Sequence, residues 1–286
     1  MPRALIAGCG YLGRAIAGLL ANGGWQIECW TMSAGSAEEL STAGRSARNV
    51  DISNFREVGA HKSAFDAVIH CASTRGGTAD SYRRVYLDGA RNLLEHFGNA
   101  RLLFVSSTSV YAQNAGEWVS EKSPAEPKHE TGRILREAEN LVLGNGAIAV
   151  RLGGLYGPGR SALLRKLLSG EATIDPEHDR FMNQIHRDDA AAAIQFLAGQ
   201  ANLEGQICNL VDNQPTLLGE CYRWLAAKLN RPLPPPGKLS SARKRGDSNK
   251  RVSNAKLRGL GWAPRYPTFA DGMEKSVLPN LAGEGA

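Results

Sequence analysis

Arg3-Ala4-Leu5-Ile6-Ala7-Gly8-Cys9-Gly10-Tyr11-Leu12-Gly13 is a short apolar run closed by three glycines at GxGxxG spacing, and Tyr11–Asn22 continues from it with helical periodicity. An apolar strand that empties through glycines into a helix has a specific physical use. The first amides of a helix lack intrahelical partners, and the helix dipole makes that end attractive to an anion. Gly8 permits the tight turn, Gly10 lets backbone approach a diphosphate, and Gly13 lets helix and strand pack closely. GxGxxG alone is weak evidence. Its place in the first strand–helix turn points to dinucleotide binding, with a ligand-free tight turn as the alternative.

Working outward, RALIAG (3–8), WQIECW (25–30), FDAVIHCA (65–72), RLLFVSS (101–107) and AIAVRL (147–152) are continuously apolar and predict buried parallel strands. A shorter strand is predicted at Arg48–Asp51. Helices are predicted at Tyr11–Asn22, Ala79–Phe97 and Gly132–Leu143 between them. This alternation predicts an α/β fold, a doubly wound parallel Rossmann sheet. After Arg151 the pattern loosens. GGLYGPGR (153–160) is rich in turns, Ser161–Ser169 and Arg187–Gly199 are helical, and QICNLV (206–211) reads as a late strand. The prolines of LNRPLPPPGK (229–238) impose extended chain, followed by a short helix near Ser253–Leu260 and a last segment from Thr268. The expected organisation is a nucleotide-binding domain over 1–152 and about 183–212. A smaller C-terminal α/β substrate lobe takes about 153–182 and 213–286.

Composition narrows the class. The chain has 286 residues, 42% apolar and 22% charged, enough to bury a sizeable core. With mean hydropathy −0.30 and no apolar run near the length of a membrane span, it has no membrane-crossing segment. The first twenty residues resemble an export signal, but Arg14 interrupts the apolar stretch, so they are read as part of the fold. Cys9, Cys29, Cys71, Cys208 and Cys221 lack CxxC spacing and fall in apolar segments, which suits free thiols in a reducing cytoplasm. No metal-ligand spacing is present. The net charge is +6, yet Lys238–Arg258 carries eight basic residues and one acid, leaving the rest at −1. That stretch is a solvated loop, an anion-binding lid, or a nucleic-acid contact. Nucleic acid is disfavoured because no aromatic side chain is there to stack on bases.

The second strand ends at Thr31-Met32-Ser33, where an NAD-preferring site usually carries an acid against the ribose 2′-hydroxyl. None is present, and the hydroxyls of Thr31, Ser33 and Ser36 tolerate a 2′-phosphate. The cofactor is therefore NAD or NADP, with NADP slightly favoured.

Several further blocks resemble the extended short-chain dehydrogenase/reductases, the NAD-dependent epimerase/dehydratase family. They are Asp51-Ile52, FDAVIHCAS (65–73), VSSTSVYA (105–112), RLGGLYGPGR (151–160), NQIHRDDAAAAI (183–194), QICNLVDNQP (206–215) and KRVSNAKLRGLGWAPRYPT (250–268). SSTSVY and GRILREAE are most similar to its small bacterial YeeZ-like branch. The resemblance implies a cofactor lying along Gly8, Gly10, Tyr11, Leu12, Gly13, Thr31, Ser33, Asp51, Ile52, Cys71, Ala72 and Ser73. It also puts Ser107 at the catalytic serine position and Ser107, Thr108 and Tyr111 near the substrate.

The departures are as informative. The family's acid/base is a Tyr-x-x-x-Lys pair on the helix after Ser107. Aligning on Ala138-Glu139 puts Thr131 and Leu135 at those positions, and neither supplies a titrating phenol or a cation. A lost acid/base costs about 10²–10⁴-fold in rate. Gly154 stands where relatives that use nucleotide sugars carry an Asn, which makes those sugars doubtful substrates, and Tyr86 stands where Asn is common. Tyr111, Tyr156 and His129 are candidate replacements, each with a bland reading beside it: a packed aromatic, or a solvated loop residue. His186, Asp188 and Asp189 read as helix capping and interdomain bonds. Two functions stay open: an NAD(P)-dependent oxidoreductase or epimerase-like enzyme acting on a small molecule with rearranged proton transfer, or a non-catalytic NAD(P)-binding sensor or scaffold. Monomer and homodimer are equally compatible with the sequence.

Overall fold

The computed structural model describes residues 1–74, 76–237 and 248–283. Residues 238–247 of the basic stretch therefore lie outside the described residues. The strands in chain order are β1 (Arg3–Ala7), β2 (Gln26–Thr31), β3 (Ser46–Asn49), β4 (Ala67–His70), β5 (Arg101–Ser107), β6 (Glu117–Val119), β7 (Ile148–Leu152), β8 (Gly154–Tyr156), β9 (Phe181–Met182), β10 (Gln184–His186), β11 (Ile207–Leu210), β12 (Thr216–Leu217) and β13 (Lys250–Val252). The principal helices are α1 (Tyr11–Asn22), α2 (Ala34–Thr42), α3 (Phe55–Gly59), α4 (Ala79–Tyr82), α5 (Gly89–Phe97), α6 (Glu130–Gly144), α7 (Ala162–Leu168), α8 (Arg187–Gly199), α9 (Leu218–Lys228), α10 (Ala255–Gly259) and α11 (Phe269–Gly272).

A seven-stranded parallel sheet in the order β11-β7-β5-β4-β1-β2-β3 forms the centre. The strand order reverses between β1 and β4, the switch point at which such sheets leave a crevice beyond the strand ends. Register makes the rim level there, because Ala7 pairs with both Trp30 and His70. Ala4, Leu5, Ile6 and Ala7 are all fully buried, the behaviour of a parallel strand covered on both faces. In α1, Ile16 and Leu20 are buried as well, each worth about 1.5–3 kcal/mol.

The third strand is Ser46–Asn49, not the Arg48–Asp51 expected from sequence. Asp51 instead turns the chain, its carboxylate accepting from the Ser53 amide and hydroxyl. The helix expected across Ala79–Phe97 contains a π-helical stretch at Arg83–Asp88 between α4 and α5. There the Val85 carbonyl accepts a hydrogen bond from His70 Nε2 at 3.0 Å.

The described chain divides into two compact units: residues 1–110, 125–151 and 191–208, and residues 111–124, 152–190 and 209–286. Unit 2 has its own core, in which Tyr156, Leu164, Leu218, Leu225, Phe269 and Met273 pack together. Its short β6 runs parallel to β13, with Lys250 opposite Glu117.

Candidate cofactor site and the residues around Ser107

The glycine loop is built from backbone constraints. Gly8 has φ +100°, and a Cβ there would overlap the Ala72 backbone, so only glycine fits. The Gly8 and Cys9 amides both donate to Trp30 O, at 3.0 and 2.9 Å, which ties the loop to the end of β2. At Gly13 a Cβ would lie 2.6 Å from Gly8 O, the close approach of α1 to β1. Gly10 differs: a Cβ there would meet nothing within 4 Å. It precedes α1 with no side-chain cap, and the first turn holds no acid. The positive end of the helix dipole, with Tyr11 and Leu12 in its first turn, thus faces open space bounded by backbone. That environment fits a diphosphate.

Beside the loop, Thr31 Oγ1 donates to Ser33 O at 2.9 Å. Ser33 caps α2, accepting from the Ser36 amide, and α2 has no acid in its first turn. Asp51 is 3.5 Å from Arg84, while Ile52 is buried with its carbonyl bonded to Asn92.

Beyond β4, Cys71 Sγ donates to Gly8 O at 3.2 Å, and burial pushes its thiol up to about 12, so it is a packed neutral thiol. Ser73 Oγ accepts from the Tyr86 hydroxyl at 3.4 Å. His70 beneath them is wholly buried, which lowers its pKa to about 4. It is a neutral ring donating to Val85.

Ser107 ends β5 half-buried, its hydroxyl accepting from the Ser109 amide at 3.1 Å, and Thr108 follows in a short 3₁₀ turn. On the strand's opposite face, Ser106 Oγ donates to Glu139 Oε1 at 2.6 Å. Arg151 donates to both oxygens of that carboxylate, at 3.0 and 2.7 Å, and Arg136 adds a further bond at 3.0 Å. This buried network fixes α6 to β5 and β7. Thr131 sits half-buried in the first turn of α6, and Leu135 is 2% exposed among core side chains.

Tyr111 opens unit 2 at 1% exposure. Its hydroxyl lies 2.9 Å from both Ser120 O and Asn209 Oδ1, so the phenol anchors its own loop. Tyr156 is buried against His186, with ring centroids 5.4 Å apart, and burial first, then Asp212, drives its pKa upward. Asp189 accepts from the Arg265 and Tyr266 amides at 2.7 and 2.9 Å, which binds segments of unit 2 to each other. His129 is the residue before α6 and contributes no side-chain cap. Among the described residues no cluster of His, Cys, Asp or Glu could hold a metal ion.

Lys250 belongs to the basic stretch expected as a solvated loop, an anion-binding lid or a nucleic-acid contact, but it is buried in β13. It is 3% exposed, with Nζ donating to Tyr111 O at 3.0 Å and Ser248 Oγ at 2.7 Å. Burial lowers its pKa to about 8; Arg180 adds to that and Glu117 opposes it. The only hint in sequence was the alternation Lys250-Arg251-Val252, which puts the lysine on the same strand face as the buried valine.

Residues 4–210 match the family model for the NAD dependent epimerase/dehydratase family. Protein YeeZ of Escherichia coli K12 is 28% identical over 93% of this chain and 97% of its own length. A solved structure from Methylobacillus flagellatus, described as an NAD-dependent epimerase/dehydratase, is 29% identical, covers 98% of this chain and 99% of that one, and superposes with TM-score 0.78. The UDP-glucose 4-epimerase of Thermus thermophilus, solved with NAD, shares the fold at TM-score 0.81 and 20% identity, with 99% of each chain covered.

Proposed function

Because the chain belongs to the NAD-dependent epimerase/dehydratase family, we propose that unit 1 binds a nicotinamide dinucleotide and that the protein is an NAD(P)-dependent oxidoreductase or epimerase-like enzyme acting on a small molecule. The observation that carries this reading is Gly10: its surroundings are open, and α1 begins there without a cap or an acid. Gly8, Gly10, Tyr11, Leu12 and Gly13 cradle the diphosphate. Thr31, Ser33, Asp51 and Ile52 take the adenosine half, and Cys71, Ala72 and Ser73 line the path onward. The dinucleotide, once bound, supplies hydride chemistry. NAD is the form bound in the Thermus enzyme. The acid-free end of β2 accepts a 2′-phosphate too, so NADP(H) binds at least as tightly as NAD(H).

Ser107 and Thr108 orient the substrate carbonyl through their hydroxyls. Thr131 and Leu135, at the positions of the family's Tyr and Lys, leave proton transfer to water or another side chain. No helix among the described residues is long and apolar enough to cross a membrane, and the five cysteines are free thiols, which supports a reducing, cytoplasmic setting. The buried Leu135 favours one further reading, a dinucleotide-binding sensor or scaffold without turnover.

Thermal shifts with NAD⁺, NADH, NADP⁺ and NADPH, followed by reduced-nicotinamide absorbance against a panel of aldehydes and ketones, separate these readings. The enzyme reading expects a cofactor-dependent rise in midpoint and oxidation with at least one carbonyl. Binding with no oxidation across the panel favours the sensor, and no shift with any form at millimolar supply sinks both.

A further inference from the structure

Three of the five cysteines gather around the glycine loop from separate parts of the sequence. Cys9 lies inside the loop, 1% exposed, and its amide bond to Trp30 O at 2.9 Å presses it against the end of β2. Cys29, wholly buried, precedes Trp30 and pairs with Ile6 of β1. Cys71 comes in from the end of β4, its Sγ 3.2 Å from where a Gly13 Cβ would lie. The Cys9 and Cys29 thiols are hydrogen-bonded to each other, Cys9 donating. That bond raises Cys9 and lowers Cys29, and burial raises both; Arg45 and Arg14 lower Cys29 further, while Glu28 opposes them. Cys9 therefore keeps its proton and Cys29 is the one that sheds it, and the thiolate is the form that meets an oxidant. A lone buried thiol is inert, but this pair has nucleophile and resolving thiol already in contact.

We propose that Cys9 and Cys29 are a reversible oxidation site, closing to a disulfide under hydrogen peroxide and reshaping the loop that takes the dinucleotide's diphosphate. The effect on the cofactor rests on the function proposed above, whereas the thiol pair stands on the packing of unit 1 alone. The Cys29 thiolate attacks one peroxide oxygen: an S–O bond forms, the O–O bond breaks, and the hydroxide released leaves as water with the proton Cys29 lost. Cys9 then gives up its proton and attacks the Cys29 sulfenic sulfur. The S–S bond forms, the S–O bond breaks, and the hydroxide departs with that proton as a second water. The two thiols lose two electrons and one peroxide is reduced to two waters. The sulfurs must close from hydrogen-bond separation to about 2.05 Å. Cys29 is paired with Ile6 on one side and Ala47 on the other, so Cys9 does the moving. It sits between Gly8, where a Cβ has no room, and Gly10, whose surroundings are open and give peroxide its approach. The shift therefore falls on Gly10 and the first amides of α1, the groups a diphosphate needs. A dithiol reductant returns the pair to thiols by exchange, the transient use that disulfides find in a reducing compartment.

The test treats the full-length protein with hydrogen peroxide, blocks the remaining thiols with N-ethylmaleimide and maps the tryptic peptides by mass. Cys9, Cys29 and Cys71 fall in different peptides, residues 4–14, 15–45 and 63–75. The expected product is 4–14 joined to 15–45, two hydrogens lighter than the separate peptides and parted again by dithiothreitol. In the same sample, affinity for NAD⁺ or NADPH should fall about tenfold or more and recover on reduction. Cys29→Ser should give no joined peptide and keep its cofactor affinity through the peroxide treatment, while Cys71→Ser should still form the bond. Should Cys29→Ser fail to fold, Cys9→Ala takes its place with the same expectations. Recovery of Cys9 and Cys29 as free thiols or as separate sulfinic acids overturns the proposal, as does a link from 4–14 to 63–75. The expected link with cofactor affinity unchanged overturns the effect on the loop. A link formed in a protein that binds no dinucleotide even when reduced would defeat the cofactor reading and leave the thiol pair standing.

Discussion

Gly8 and Gly10 sit two residues apart and answer different questions. A side chain at Gly8 must enter the Ala72 backbone from a left-handed φ, so Gly8→Ala should destabilise the fold by at least about 1 kcal/mol. Gly10 has φ −90° and no neighbour within 4 Å, so Gly10→Ala should leave stability within about 0.5 kcal/mol of wild type. The same methyl stands where a diphosphate would approach, and dinucleotide affinity should fall about tenfold or more, a loss of about 1.4 kcal/mol. Urea denaturation and cofactor titration on the two variants test this, and unchanged affinity in a stable Gly10→Ala protein would move the diphosphate elsewhere. Gly8 is legible in the sequence because its backbone admits only glycine, and Gly10 through its place in the GxGxxG spacing. Lys250 was not, because its burial arises from a strand pairing with residues more than a hundred positions away.

Elements were readable where periodicity is strong. Tyr11–Asn22 and Arg187–Gly199 form the helices expected of them. The helix Ala34–Thr42 escaped because AGSAEELST has only two buried positions, Ala37 and Leu40, and its capping Ser33 drew attention as a ribose-side hydroxyl. The π-helical stretch at Arg83–Asp88 was also invisible, since it answers to a tertiary bond from His70. Elements near Ser107 are held by Glu139, whose carboxylate gathers Ser106, Arg136 and Arg151. Glu139→Ala would leave the Arg151 guanidinium buried without its carboxylate, which costs about 3–5 kcal/mol. A urea midpoint close to wild type would mean that other groups compensate Arg151, and α6 would then owe its position to apolar packing.

At the scale of the whole molecule, the alternation of strands and helices made the central sheet legible, whereas the assignment of Tyr111–Pro124 to unit 2 depends on β6 pairing with β13. Both units carry buried histidines held neutral. Burial takes His70 in unit 1 and His186 in unit 2 from the usual 6.5 to about 4. The unfolded chain therefore binds these protons first as pH falls. The stabilisation is complete above about pH 6.5 and is lost between there and pH 4, about 3 kcal/mol for each ring. Asp212 acts in the opposite sense. Burial raises its pKa well above the ordinary 3.8, so stability falls as pH rises from that value through the folded-state pKa, because the native state then holds a proton that the unfolded chain has released. Between pH 4 and 6.5 the two effects oppose each other, so denaturation should show that His70→Gln makes stability rise less steeply with pH and Asp212→Asn makes it rise more steeply. A pH dependence unchanged in His70→Gln would mean that the His70 ring takes up a proton without leaving Val85, and the packing around the π-helical stretch would have to admit water.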